Sequence, residues 1–106
     1  MERLNAYRDA GADCLFAPGV SDSETIGRLA QAVRGPLNVL AVPGSPTIPE
    51  MKSLGVARVS FGGGPSRIAM GALREFAREL REYGTFQALS NVAIPGAEMQ
   101  GLMRRG

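Results

Sequence analysis

Short, continuously apolar runs alternate along this chain with stretches in which apolar residues recur every three or four positions. Residues 2–10 carry Leu4, Ala6, Tyr7 and Ala10 among charges, a helical spacing that Gly11 ends. The run at 13–17, Asp13-Cys14-Leu15-Phe16-Ala17, stops at Pro18-Gly19 and predicts a strand buried on both faces, as in parallel sheets. Ser21 and Glu24 then stand at capping-box spacing before Ile26, Leu29, Ala30 and Val33, which predicts a helix closed by Gly35-Pro36. The cycle repeats with a strand over 37–42, Pro43-Gly44, and a Thr47…Glu50 box with Pro49 in the first turn. Met51 and Leu54 give that helix a short apolar face before Gly55. A third strand over 57–61 ends in Gly62-Gly63-Gly64, and a long helix begins near Pro65 or Ser66. It places Ile68, Ala69, Ala72, Leu73, Phe76, Ala77 and Leu80 on one side and Arg and Glu on the other. After Gly84 the pattern loosens over 85–95, then a short apolar helical segment carries Ala97, Met99, Leu102 and Met103.

Strands alternating with helices at a spacing of about 20 to 24 residues argue for βαβ units and an α/β fold with a parallel sheet. The period alone leaves barrel and open sheet both standing. At 106 residues the chain is one domain at most, whereas a complete (β/α)8 barrel takes roughly 200 residues or more.

The ordered segments AYRDAGADCLFAPG, GPLNVLAVPG, LGVARVSFGGGPSRIAMGAL, GTFQAL and AIPGAEM resemble the last part of proteins of the isocitrate lyase/phosphoenolpyruvate mutase superfamily. The resemblance implies a partial (β/α)8 TIM barrel of about three βα units, strands six to eight, plus a C-terminal helix. Residues 1–90 would form the barrel portion and 91–106 a helical extension, either exchanged between subunits, as the family's last helix is, or packed as an ordinary core of its own chain. Family members cleave or form C–C or P–C bonds next to a 2-oxo acid and stabilise an enolate-like intermediate on Mg2+, a metal acting as Lewis acid. The resemblance places the metal-positioning carboxylates, the oxyanion-binding loop and the mobile catalytic loop upstream of this segment. It therefore implies Mg2+ and a small 2-oxo acid-type ligand for the intact enzyme, and none bound by this chain alone. Pro18 stands where lyases and mutases of the family tend to carry an acidic residue or histidine, and Leu40 lies near a position where several lyases carry asparagine.

Composition narrows the chemistry further. The chain has no histidine, and the residues at the strand C-terminal ends, where barrels keep catalytic groups, are Ala17, Pro18, Ala41, Val42, Phe61 and Gly62. No carboxylate is among them, so no catalytic residue is assigned. Substrate-binding candidates are the backbone of Gly62, Gly63 and Gly64, with Pro65, Ser66 and Arg67 opening the next helix. Glycines there bring N–H groups close to an anion and a helix start adds a positive dipole; a tight strand-to-helix turn explains the same residues. Gly44 and Ser45 are candidates at the neighbouring strand end, with turn and cap duty as the alternative, since Ser45 has no evident base. Asn38, near the start of its strand, is expected to satisfy neighbouring groups.

The 12 basic and 10 acidic residues give a net charge of +2 and interleave along helices, which argues against a nucleic-acid surface; Arg104 and Arg105 read as a solvated basic end. Cys14 is the single cysteine, expected to be a buried structural thiol, and with the absence of a long apolar segment it fits a cytoplasmic protein without membrane contact. Two functions remain: the C-terminal part of a Mg2+-dependent lyase or phosphonomutase-like enzyme, associating with its missing N-terminal part or as a homo-oligomer, or a noncatalytic truncated barrel module that self-associates.

Overall fold

In the computed structural model, residues 1–104 are described; Arg105, half of the expected basic end, and Gly106 lie outside that range. The elements in order are α1 (Glu2–Asp9), β1 (Leu15–Ala17), α2 (Ser23–Ala32), β2 (Leu37–Leu40), α3 (Ile48–Ser53), β3 (Arg58–Ser60), α4 (Gly64–Tyr83), α5 (Ala88–Asn91) and α6 (Gly96–Met103). They divide into two compact units, Met1–Gly64 and a second from Pro65 onward.

In the first unit the three strands form one parallel sheet in the order β1-β2-β3, with Leu15 opposite Leu37 and Val39 opposite Val59. Side chains alternate between faces along a strand, so Leu15, Ala17, Leu37 and Val39 share one face. Against that face pack Leu29 and Val33, in one cluster with Leu15, Ala17 and Leu37, and Ile26 and Met51, in a second with Val39. Both crossover helices, α2 and α3, therefore cover the same side of the sheet. A doubly wound sheet places helices on both sides and reverses its strand order. Consecutive strands with helices on one side are consistent with a barrel segment, and equally with one half of a doubly wound sheet, so the fragment is an α/β unit with a three-stranded parallel sheet.

The other face is buried at its centre, at Asn38, and exposed at Phe16 and Arg58 on either side. Phe16, Asn38 and Arg58 stand side by side in register, and Phe16 is 46 % exposed. The central strand β2 is buried on both faces as expected, while β1 and β3 are not, because Phe16 and Arg58 are exposed: a barrel buries its inner face fully only when its strands meet across the lumen, and three do not close one. The strands are also shorter than expected, and Cys14, just before β1, is only partly buried.

Local signals account for the boundaries. Thr47 and Glu50 form the full reciprocal capping box, with Thr47 N–H donating to Glu50 Oε2 at 2.7 Å. Helix α2 differs: the cap is Asp22, whose Oδ1 accepts from Thr25 N–H at 2.8 Å, not Ser21 paired with Glu24. Asp at the cap satisfies an orphan helix donor and carries a charge that favours the positive helix end. At the end of α3, Gly55 N–H donates to Lys52 O and Val56 N–H to Met51 O, a Schellman closure that needs the positive φ of 92° at Gly55. Helix α1 is clipped to the end of α2 by Asn5, which donates to Ala32 O at 3.1 Å and accepts from Arg34 N–H at 2.9 Å.

In the second unit, α4 extends one residue earlier than expected and has no buried residue. Much of its apolar side is exposed, Ile68 by 76 % and Leu73 by 57 %, while Ala72 and Phe76 are half-buried. The loose stretch after it contains the short α5, held by Glu79, whose carboxylate accepts from Thr85 Oγ1 at 2.7 Å and from the N–H groups of Gln87 and Ala88 at 2.8 and 3.3 Å.

Candidate functional site

The C-terminal ends of the three parallel strands point the same way, and the loops that follow them are the place where a barrel keeps its chemistry. After β2, Val42, Gly44 and Ser45 make a closed turn. Val42 N–H donates to Ser45 Oγ at 3.0 Å and Ser45 N–H donates to Val42 O at 3.0 Å. The hydroxyl is thus engaged within its own turn, beside Gly44 at φ 88°. After β3, Gly64 N–H donates to Phe61 O at 2.9 Å, and Gly62 takes φ 51°. A Cβ on Gly62 would meet Leu40 Cδ1 at an ordinary 3.4 Å, so it is the positive φ, not a lack of space, that favours glycine there. Arg67 lies in the first turn of α4, exposed, in the second unit.

Asn38 is the one polar side chain in the buried set of the described residues, 2 % exposed. Its Nδ2 donates to Ser60 Oγ at 3.1 Å and its Oδ1 accepts from Arg58 Nε at 3.2 Å. Ser60 Oγ in turn lies 3.4 Å from Val39 O. Asn38 therefore satisfies neighbouring groups, as its place near the strand start suggested. The pattern did not single out Arg58, although a charged residue two positions before Ser60 in an otherwise apolar strand was the available signal.

Among the described residues no three His, Cys, Asp or Glu side chains gather closely enough to hold a metal ion. The carboxylates with perturbed acidity are all structural. Asp22, Glu50 and Glu79 are held below the ordinary carboxylate range, chiefly by hydrogen bonds from Thr25, Thr47 and Thr85 respectively. Each stabilises a helix start or a turn, and none lies at a strand end. No reaction step can be derived from the carboxylates so placed. Among the described residues no helix is long and apolar enough to cross a membrane.

The sequence model of the phosphoenolpyruvate phosphomutase family matches residues 1–81. An uncharacterized protein of Mycobacterium tuberculosis is 35 % identical over 100 residues, which are 94 % of this chain and 37 % of that protein. The crystal structure of a Burkholderia cenocepacia protein provisionally described as a lyase/mutase superposes with a TM-score of 0.90 at 42 % identity, over 98 % of this chain and 38 % of that one. The structure of 2,3-dimethylmalate lyase, a member of the PEP mutase/isocitrate lyase superfamily, gives a TM-score of 0.75 at 28 % identity over 96 % of this chain and 37 % of that one. This chain spans less than two fifths of the length of each of these relatives. With its one-sided parallel sheet and a family match over most of its length, the chain belongs to the phosphoenolpyruvate phosphomutase family of the PEP mutase/isocitrate lyase superfamily.

Proposed function

We propose that this chain is the C-terminal scaffold of a Mg2+-dependent lyase or phosphonomutase-like enzyme that cleaves or forms a C–C or P–C bond next to a 2-oxo acid. The observation that supports this most is the near-complete superposition, at a TM-score of 0.90, on little more than a third of a lyase/mutase. The three strands take the places of barrel strands six to eight. Residues upstream of them in the assembled barrel would supply the carboxylates for Mg2+, which as a Lewis acid stabilises enolate-like charge.

The role of the chain's own residues in that enzyme is to shape one side of the mouth. The turns at Gly44-Ser45 and Gly62-Gly63-Gly64 direct backbone toward the ligand, and Arg67 is a candidate anion contact. Residues 91–106, with Met99, Leu102 and Met103 exposed on α6, would extend from the barrel onto a neighbouring subunit. The setting we assign is the cytoplasm, where the lone Cys14 stays reduced.

The test is an assay of pyruvate or glyoxylate release, with and without Mg2+, on the 106-residue chain and on the same chain joined to upstream barrel strands of a relative. No turnover is expected from the chain alone, and Mg2+-dependent turnover from the joined protein. Turnover by the isolated chain would refute the assignment of the catalytic groups to the upstream strands.

A second reading, a noncatalytic module that self-associates, is favoured by one observation, the exposure of Ile68, Leu73 and Leu80 on the apolar side of α4. The mass of the protein from its native source separates the two. A species near 11.2 kDa per chain points to the module, and one more than twice that to the enzyme.

A further inference from the structure

The face of the sheet away from the helices carries one charge, on the exposed Arg58. Arg58 stands in register with Asn38 and, through it, with Phe16, on the face opposite α2 and α3. Asn38 Oδ1 holds its Nε at 3.2 Å, and the ion pairs among the described residues, Asp9 with Arg34 and Glu75 with Arg78, leave Arg58 out. No carboxylate of the sheet is available to it. Of the ten acidic residues, Asp13 precedes β1 and the others lie in helices or at their caps. Phe16, Asn38, Leu40 and Ser60 are the residues that face Arg58 from the three strands, and none of them titrates between about pH 5 and 8.

Two further facts say what would meet this guanidinium. Among the described residues β3 pairs only with β2, so its other edge has unfilled backbone hydrogen-bonding groups, and a sheet edge of this kind takes another strand. The Burkholderia relative has more than three fifths of its chain beyond the match, and a strand from such a segment running along that edge would close the lumen. Closure would take Arg58 out of water, and an arginine does not shed its proton to escape the cost. A desolvated guanidinium needs a carboxylate, and with Nε already fixed by Asn38 its two terminal nitrogens are left as a preset fork. Arg58 is the first residue of β3, at the end away from the Gly62 turn. A ligand at the C-terminal mouth is therefore not its counter-charge.

We propose that Arg58 forms an ion pair inside the closed barrel with an Asp or Glu on the strand that docks along the free edge of β3, and that Asn38 presets its geometry. This rests on the barrel reading given above. Arg58 is a positioning residue here, fixing the register in which the barrel closes.

The test uses the protein as its native source makes it, whether one polypeptide or a complex. Mass and oligomeric state are measured first: an 11.2 kDa monomer would sink the barrel reading itself. In the assembled protein, the unfolding midpoint is then followed from pH 8 to pH 5 for wild type, Arg58→Lys and Arg58→Met. Losing the guanidinium strands a buried carboxylate, which takes a proton as pH falls. The Arg58→Met deficit should therefore shrink by at least about half between pH 8 and pH 5, with Arg58→Lys intermediate at pH 8. A deficit that does not change with pH would overturn the ion pair and leave Arg58 only its bond to Asn38. Should Arg58→Met not fold, nitrogen-15 NMR of wild-type Arg58 decides: resolved, slowly rotating terminal nitrogens support the pair, and averaged ones overturn it. Stabilisation of wild type by added phosphate at this site would also overturn it, by showing a ligand anion in the carboxylate's place.

Discussion

Gly55 and Gly71 show how one residue type carries opposite weight at two positions. At Gly55 the positive φ of 92° closes α3, and a Cβ would meet Ala30 Cβ at an ordinary 3.4 Å. Gly55→Ala therefore loses stability through the backbone, by about 1–2 kcal/mol, rather than through a clash. Gly71 sits inside α4 at negative φ, and a methyl group added there would meet nothing within 4 Å. Gly71→Ala thus relieves helix-interior entropy and should add about 0.5–1 kcal/mol. Denaturant unfolding of the two variants checks both signs, and a gain at Gly55 would contradict the turn geometry.

Among the elements, α3 is short enough to depend on two anchors, its capping box and the Met51 side chain, which is 1 % exposed against Ile26 and Val39. Met51→Ala empties a site between α2, α3 and β2 and should cost about 2–5 kcal/mol, read as a lower denaturant midpoint. A variant within experimental error of wild type would mean that the second cluster does not hold the helix to the sheet. The starts of α2 and α3 and the turn after α4 share a pH response. Asp22, Glu50 and Glu79 have folded acidities pushed below their ordinary values of 3.8, 4.5 and 4.5 by hydrogen bonds from threonines and backbone. A depressed carboxylate stabilises the fold above its ordinary value and loses that contribution as pH falls through the folded one. Stability should thus fall below about pH 4.5, and in Asp22→Asn and Glu79→Gln proteins the fall should be shallower. Equal slopes in the variants would assign the acid response to other groups.

For the whole molecule, the exposed side of α4 is the largest departure from a self-sufficient domain. Isolated large apolar side chains are ordinary on a surface, but Ile68, Leu73 and Leu80 line one side of a single helix. If that side is covered by another chain in the working protein, Ile68→Glu combined with Leu73→Glu should shift the assembly to a smaller species in sedimentation, with the helicity of the first unit retained. An unchanged sedimentation profile would show that the side stays in water.

The order of elements could be read directly from the chain, because that order is local chemistry. Apolar runs, Pro-Gly punctuation and the Thr47…Glu50 box mark the three βα units, and five ordered segments were enough to suggest the family. The cap of α2 was not legible, because Ser21 and Asp22 are both good caps and only the path of the chain chose Asp22. Nor was α5, whose hold is the carboxylate of Glu79, six residues before the threonine it binds. The placing of α2 and α3 on the same side of the sheet came only with the fold, since a helical period reveals which face of a helix is apolar but not which face of a sheet receives it. The candidate turns at Gly44 and Gly62 were legible as glycine-rich strand ends. The row of Phe16, Asn38 and Arg58 was not, because residues 20 or more apart become neighbours only when parallel strands fix their register.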